Sequence, residues 1–192
     1  RKDAKWSDGK AITAQDFVWS WQRALDPLTA SEYAYQLYYI QNGEAYNMGK
    51  LKDPSKLGIK ALDKYTLEVK LEHPTPYFLR LTAFHTLFPT PKHVIEKHKG
   101  ALWTRAKNIV SNGPFKIDKW LLNRYVKLVV NPHYWDKDKV KLKEVYFHAT
   151  EQVDTEEKTF NSGKLHMTST VPTLKVPYYQ RTAKKYPNRY QA

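Results

Sequence analysis

The chain has 192 residues, 41% of them hydrophobic and 14% aromatic, with 32 basic and 19 acidic side chains and a net charge of +13. That is enough apolar material for one medium domain or two small ones sharing a core, and it excludes global disorder. There is no cysteine, so disulfides, thiol catalysis and zinc–thiolate sites are excluded, and no run approaches the roughly 18 apolar residues of a membrane span.

Arg1–Lys5 runs straight into what reads as mid-domain sequence, with no signal peptide, so a fragment or a processed chain is expected. Trp6-Ser7-Asp8-Gly9 reads as a tight turn, with Gly9 free to take positive φ. Thr13 offers a helix N-cap with Asp16 three residues on, the spacing of a capping box. Phe17, Trp21, Ala24 and Leu25 recur at helical spacing behind it. Pro27 ends this helix, because it pushes Asp26 out of the helical region. A second helix is expected over Ser31–Asn42, rich in Tyr33, Tyr35, Tyr38 and Tyr39. So many phenols cannot all enter one core, since buried hydroxyls need partners, so some are expected to face a wet cleft.

Tyr65–Leu71 alternates as a half-buried strand. A short helix with Phe78 and Leu81 follows the Pro74-Thr75-Pro76 break, and Pro89 and Pro91 mark a subdomain boundary. His93–Lys99 reads as a short helix stopped by Gly100. Asn112-Gly113-Pro114 is a turn, followed by Phe115, Ile117 and a strand over Tyr125–Val130. Lys139–Phe147 alternates again. Thr150–Ser162 is helical, with Val153, Glu157 and Phe160 on one stripe and Gly163 as its stop. Leu165-His166-Met167 reads as a short strand, and the tail after Pro172 as loop or helix. Irregular alternation of strands and helices argues for a mixed α/β or α+β fold with two subdomains.

Trp6, Trp21, Trp120 and Trp135 are expected in the core rather than as ligand platforms, because large aromatics dominate core burial. The seven histidines make no metal-ligand spacing, so no metal site is expected. No nucleophile elbow, phosphate loop or isolated carboxylate pair is present, and no residue asks to be called catalytic. The charge of +13 raises a nucleic-acid partner. Lysine dominates, however, and is dispersed, as in Lys137, Lys139, Lys141 and Lys143, which suits a solvated face, so no nucleic acid is expected. A glycan-binding or glycan-hydrolysing protein with aromatic platforms is a further rival.

Six blocks, in order, carry a resemblance. Lys5–Trp21, Leu57–Asp63, Pro74–Phe78, Asn108–Lys116, Asn131–Asp136 and Phe160–Met167 resemble blocks of the cluster-5 extracytoplasmic solute-binding proteins, closest to the periplasmic oligopeptide-binding type of ABC importers. The resemblance implies a type II periplasmic-binding-protein-like fold whose two lobes close on a peptide. It implies that this chain is part of the first lobe, with a second subdomain over about 1–92, part of the main subdomain over about 93–192, and the second lobe absent. An oligopeptide ligand, ABC importer membrane subunits as partners, a monomeric state, no cofactor and a periplasmic location are implied with it. Within the family, dipeptide, nickel, haem and murein-peptide ligands also occur.

By the same resemblance, Tyr33 matches a cleft tyrosine. Phe84 matches a nearby cleft position that is His in some members, and His85 becomes its equivalent after a one-residue shift. Ser169, Thr170 and Val171 match a strand end that meets the peptide backbone. The competing readings are helix-surface packing for Tyr33 and an ordinary strand exit for Ser169–Val171. Where the family usually carries Asp, this chain has His166.

Overall fold

A computed structural model describes residues 1–183. The described chain forms two compact units, Arg1–Lys119 with Leu128–Val145, and Trp120–Lys127 with the chain from Tyr146 onward.

The first unit opens on the Trp6–Gly9 turn, where Gly9 has φ +90° and its N–H donates to Trp6 O at 2.8 Å. Helix α1 (Ala14–Leu25) follows. One Asp16 carboxylate oxygen accepts from the Thr13 N–H at 2.7 Å and from the Thr13 hydroxyl at 2.8 Å, satisfying groups that a helix start leaves unpaired. At the other end Asp26 is extended, with ψ 122°, as the following proline requires.

The expected helix over Ser31–Asn42 does not form. A 3₁₀ turn covers Ala34–Leu37, and the short helix α2 (Gly43–Asn47) starts only after Asn42 turns left-handed at φ +62°. Buried Ala34, Leu37 and Ile40 explain the difference. They recur every three residues, the period of a 3₁₀ turn rather than of an α-helix.

Strands β1 (Ile59–Ala61) and β2 (Leu67–Val69) pair antiparallel, Ile59 opposite Val69 and Ala61 opposite Leu67. The strand expected over Tyr65–Leu71 is thus shorter, but its pairing continues on the other side. Gln41 N–H donates to Lys70 O at 2.9 Å, and Ile40 bridges Leu71. Helix α1 packs on both strands and contributes Val18, Trp21 and Leu25 to a core with Leu37, Ile40, Leu57, Ile59, Phe78 and Leu87. Burying each such side chain contributes about 1.5–3 kcal/mol. The Trp21 indole N–H is satisfied by Leu87 O at 2.8 Å. Helices α3 (Phe78–Leu81) and α4 (Lys92–Lys97) stand near their expected places.

Strands β3 (Phe115–Leu121) and β4 (Tyr125–Val130) form a hairpin through Asn123 at φ +57°, and β5 (Glu144–His148) lies beside β4. The expected strand over Lys139–Phe147 is cut short. Lys137–Lys139 is a 3₁₀ turn closed by Asp136, whose carbonyl accepts the Lys139 N–H and whose carboxylate pairs with the Lys139 ammonium, both at 3.1 Å.

The second unit holds the hairpin tip, helix α5 (Val153–Asn161) and helix α6 (Val176–Thr182). Gly163 at φ +77° ends the α5 segment as its position suggests. Leu165–Met167 is not a strand, since no backbone pairs with it among the described residues. Trp120 and Trp135, expected in the core, lie outside it. Each is 44% exposed, Trp120 next to the hairpin turn and Trp135 in a loop under the Arg1 guanidinium, 3.8 Å from its ring centre. Trp6 and Trp21 are buried as expected. Among the described residues, no helix is long and apolar enough to cross a membrane.

Candidate functional site

Three of the matched blocks, Lys5–Trp21, Asn108–Lys116 and Asn131–Asp136, meet at the Trp6–Gly9 turn. Ser7 N–H donates to Ser111 O at 2.7 Å, and Ser111 N–H returns to the Ser7 hydroxyl at 3.2 Å. Asp8 pairs with His93 of α4 at 2.7 Å, and the His133 ring lies against Gly9. Partial burial pushes the Asp8 carboxyl up, but the His93 hydrogen bond and the Lys10 N–H outweigh it and hold it below the usual carboxylate range. Asn131, fully buried, donates to Gly113 O at 2.9 Å. These residues tie distant segments of the chain together; their partners are one another.

A different group of residues faces outward. The 3₁₀ turn at Ala34–Leu37 is anchored by buried Ala34 and Leu37, and the turn at His85–Leu87 by buried Leu87. The two turns pack together. Their outer positions bring Tyr33, Tyr35, Phe84 and His85 into one aromatic cluster. Tyr33 meets Phe84 edge-on at 5.3 Å and His85 at 5.5 Å between ring centres, Phe84 and His85 lie 4.3 Å apart, and Tyr35 extends the group 6.0 Å from Tyr33. Tyr33 is 40% and Tyr35 51% exposed, so these two rings are open to solvent, while Phe84 is half-buried against the core. The three residues singled out in this unit from sequence are therefore neighbours. Tyr35 is not one of those three; its signal is its place in the tyrosine-rich 33–39 stretch, some of whose phenols are expected to face a wet cleft.

Nearby in sequence, Tyr39 and Tyr77 form an edge-on pair at 5.7 Å. The Tyr77 hydroxyl pKa is raised, first by its hydrogen bond with Tyr39 and then by burial. A separate cavity of about 350 Å³, lined by Phe17, Tyr65, Leu67, Asn112 and Trp135 among others, shares no residue with the cluster.

In the second unit, Ser169 is held by α5. Its N–H and hydroxyl donate to the two Glu156 carboxylate oxygens at 2.8 and 3.0 Å. Thr170 is exposed and Val171 half-buried, and none of the three lies in a strand. Beside them, buried Glu157 accepts from Lys175 and, at 2.5 Å, from the Tyr179 hydroxyl. Lys175 first and Tyr179 second hold the Glu157 carboxyl below its ordinary range. His166 is exposed. Among the described residues, no three His, Cys, Asp or Glu side chains group to hold a metal ion.

The family model of the bacterial extracellular solute-binding proteins, family 5 Middle, matches residues 1–192. The oligopeptide-binding protein OppA of Bacillus subtilis is 44% identical over 186 residues, which cover 91% of this chain and 34% of that protein. A probable deoxycholate-binding periplasmic protein of Escherichia coli is 41% identical over 184 residues, covering 95% of this chain and 34% of that one. Among solved structures, Haemophilus influenzae OppA in complex with the peptide RPPGFSPFR superposes with a TM-score of 0.89 at 36% identity, over 97% of this chain and 36% of that chain. The chain thus spans about a third of the length of the relatives it matches. A single model matching from the first residue to the last, with relatives above 40% identity, places the chain in a family: it belongs to the bacterial extracellular solute-binding proteins, family 5.

Proposed function

We propose that the chain is part of an extracytoplasmic solute-binding subunit that captures oligopeptides and delivers them to the membrane subunits of an ABC importer. The observation that carries this reading is 44% identity to an oligopeptide-binding protein across nearly the whole chain. In this reading Tyr33, Phe84 and His85 form one ligand-facing surface and Ser169, Thr170 and Val171 another. Residues 1–92 and 93–192 contribute to two subdomains of a first lobe, and a second lobe completes the cleft.

The physics suits a carrier of many sequences. A peptide's backbone N–H and C=O groups can be met by strand-like pairing that ignores side-chain identity. Its side chains then rest against open rings and water, which adapt to different shapes. Ligand contacts to both lobes favour the closed state, and differential contact is what shifts the equilibrium. Binding and release need no chemical step, so the subunit acts in the periplasm as a monomeric carrier without catalysis or cofactor, and without a nucleic-acid partner.

Calorimetric titration of tri- to pentapeptides into the full-length protein, beside this 192-residue chain, tests the reading. Peptide heats from the full-length protein that are lost or weakened in the shorter chain support it. Silence from the full-length protein refutes it. A second reading, a bile-acid-like amphipathic ligand, is favoured by the deoxycholate-binding relative at 41% identity. Deoxycholate belongs in the same titration.

A further inference from the structure

Resting on the peptide-binding reading, we infer that the cluster of Tyr33, Tyr35, Phe84 and His85 is a side-chain subsite that prefers an aromatic residue of the peptide, with Tyr35 setting the preference. The four rings already pair with one another at 4.3–6.0 Å between centres, mostly edge-on or tilted. Phe84 packs inward against the core, while Tyr33 and Tyr35 keep exposed ring surface that a further ring can join at the same 4.5–7 Å spacing, edge to face or offset. Tyr35 stands at one end of the cluster. It touches the cluster through Tyr33, and half of its surface remains exposed. An incoming ring would complete its contacts, whereas an aliphatic side chain would cover area without the quadrupole match.

The other side-chain classes fit less well. The cluster lies on two packed 3₁₀ turns pinned by buried Ala34, Leu37 and Leu87, so the rings are held in place before a ligand arrives. Preorganised rings lose little freedom on binding, which favours a rigid partner over a flexible one. A peptide cation could also approach the ring faces, but it would be brought to a chain of net charge +13. The cation–ring contacts among the described residues lie elsewhere, at Trp135, Tyr65 and Tyr146. A peptide carboxylate would set its charge against the negative ring faces of Tyr33, Tyr35 and Phe84. The preference that ring pairing supplies is modest, about two- to tenfold, and so is compatible with a carrier that accepts many sequences.

The test is calorimetry on the full-length protein with tetra-alanine and variants carrying Phe, Leu, Arg or Glu at each position in turn. At one peptide position Phe should bind about two- to tenfold tighter than Leu. Tyr35→Ala should erase that ratio while leaving the Leu peptide within about twofold. Tyr35→Phe should keep it. Equal binding of Phe and Leu at every position, a larger gain for Arg than for Phe, or a Phe preference untouched by Tyr35→Ala would overturn the inference while the peptide-binding reading stands. If no peptide of the series binds, both fall together.

Discussion

Gly58 sits where three segments of the chain converge. Its N–H donates to Gln41 O at 3.0 Å, and its carbonyl accepts from Lys70 N–H at 2.8 Å. A Cβ there would stand 2.5 Å from Lys70 O and 2.8 Å from the Gln41 Cβ, closer than atoms in a packed core tolerate. Gly58→Ala is therefore expected to destabilise the first unit by about 1–3 kcal/mol, read as a lower denaturant midpoint at unchanged slope. An unchanged midpoint would mean that the 39–41 segment yields freely. The sequence held little warning of this. Gly58 lies inside a matched block, but nothing local to it calls for positive φ, and the need for a missing side chain comes from chain segments 17 and 12 residues away. Tyr35 is similar: its ring meets that of Tyr33, which stands just before the 3₁₀ turn that carries Tyr35.

Elements differ in how well local pattern predicts them. Helix α1 was legible from its cap, its proline stop and its apolar spacing, because all three act within the segment. Strands β2 and β5 and the 165–167 segment were over-read, because a strand is defined by a partner that alternation alone does not supply. The α5–α6 pair shows a further feature invisible in sequence, a carboxylate buried to 6% exposure and satisfied by Lys175 and Tyr179. Since the folded Glu157 pKa lies below the ordinary value of 4.5, the group contributes stability above that value, and the contribution is lost as pH falls through the depressed folded value. Glu157→Gln should lower stability at neutral pH and flatten its decline below about pH 4.5, measured as denaturant midpoints across a pH series. A decline as steep as in the unchanged chain would assign the acid sensitivity to other groups, Asp8 first among them.

At the scale of the whole molecule, the two units are unequally built. The first has a connected apolar core running from Val18 to Leu87. In the second, Glu157 and Tyr179 are the buried residues among those described, while Leu122, Phe147, Met167, Leu174 and Tyr178 are exposed. Opening free energy follows the apolar contact that opening disrupts. Amide hydrogen exchange should therefore be slowest in α1, β1 and β2 and faster by orders of magnitude in α5 and α6. Equal protection in both units would show that burial does not set local stability here.

The sequence by itself determined the start and stop of helix α1, the turns at Gly9 and Gly163 and the mixed fold class, because each depends on backbone preferences and spacings within a few residues. It also marked Tyr33, Phe84 and His85, at positions outside the six blocks that the resemblance to a family matches to a cleft. Only the tertiary structure decided that Trp120 and Trp135 stay exposed, that three of the matched blocks clasp one another around Trp6–Gly9, and that Tyr35 extends a cluster of rings. Those outcomes depend on which distant segments meet, and burial, ion pairing and ring contact exist only once they have met.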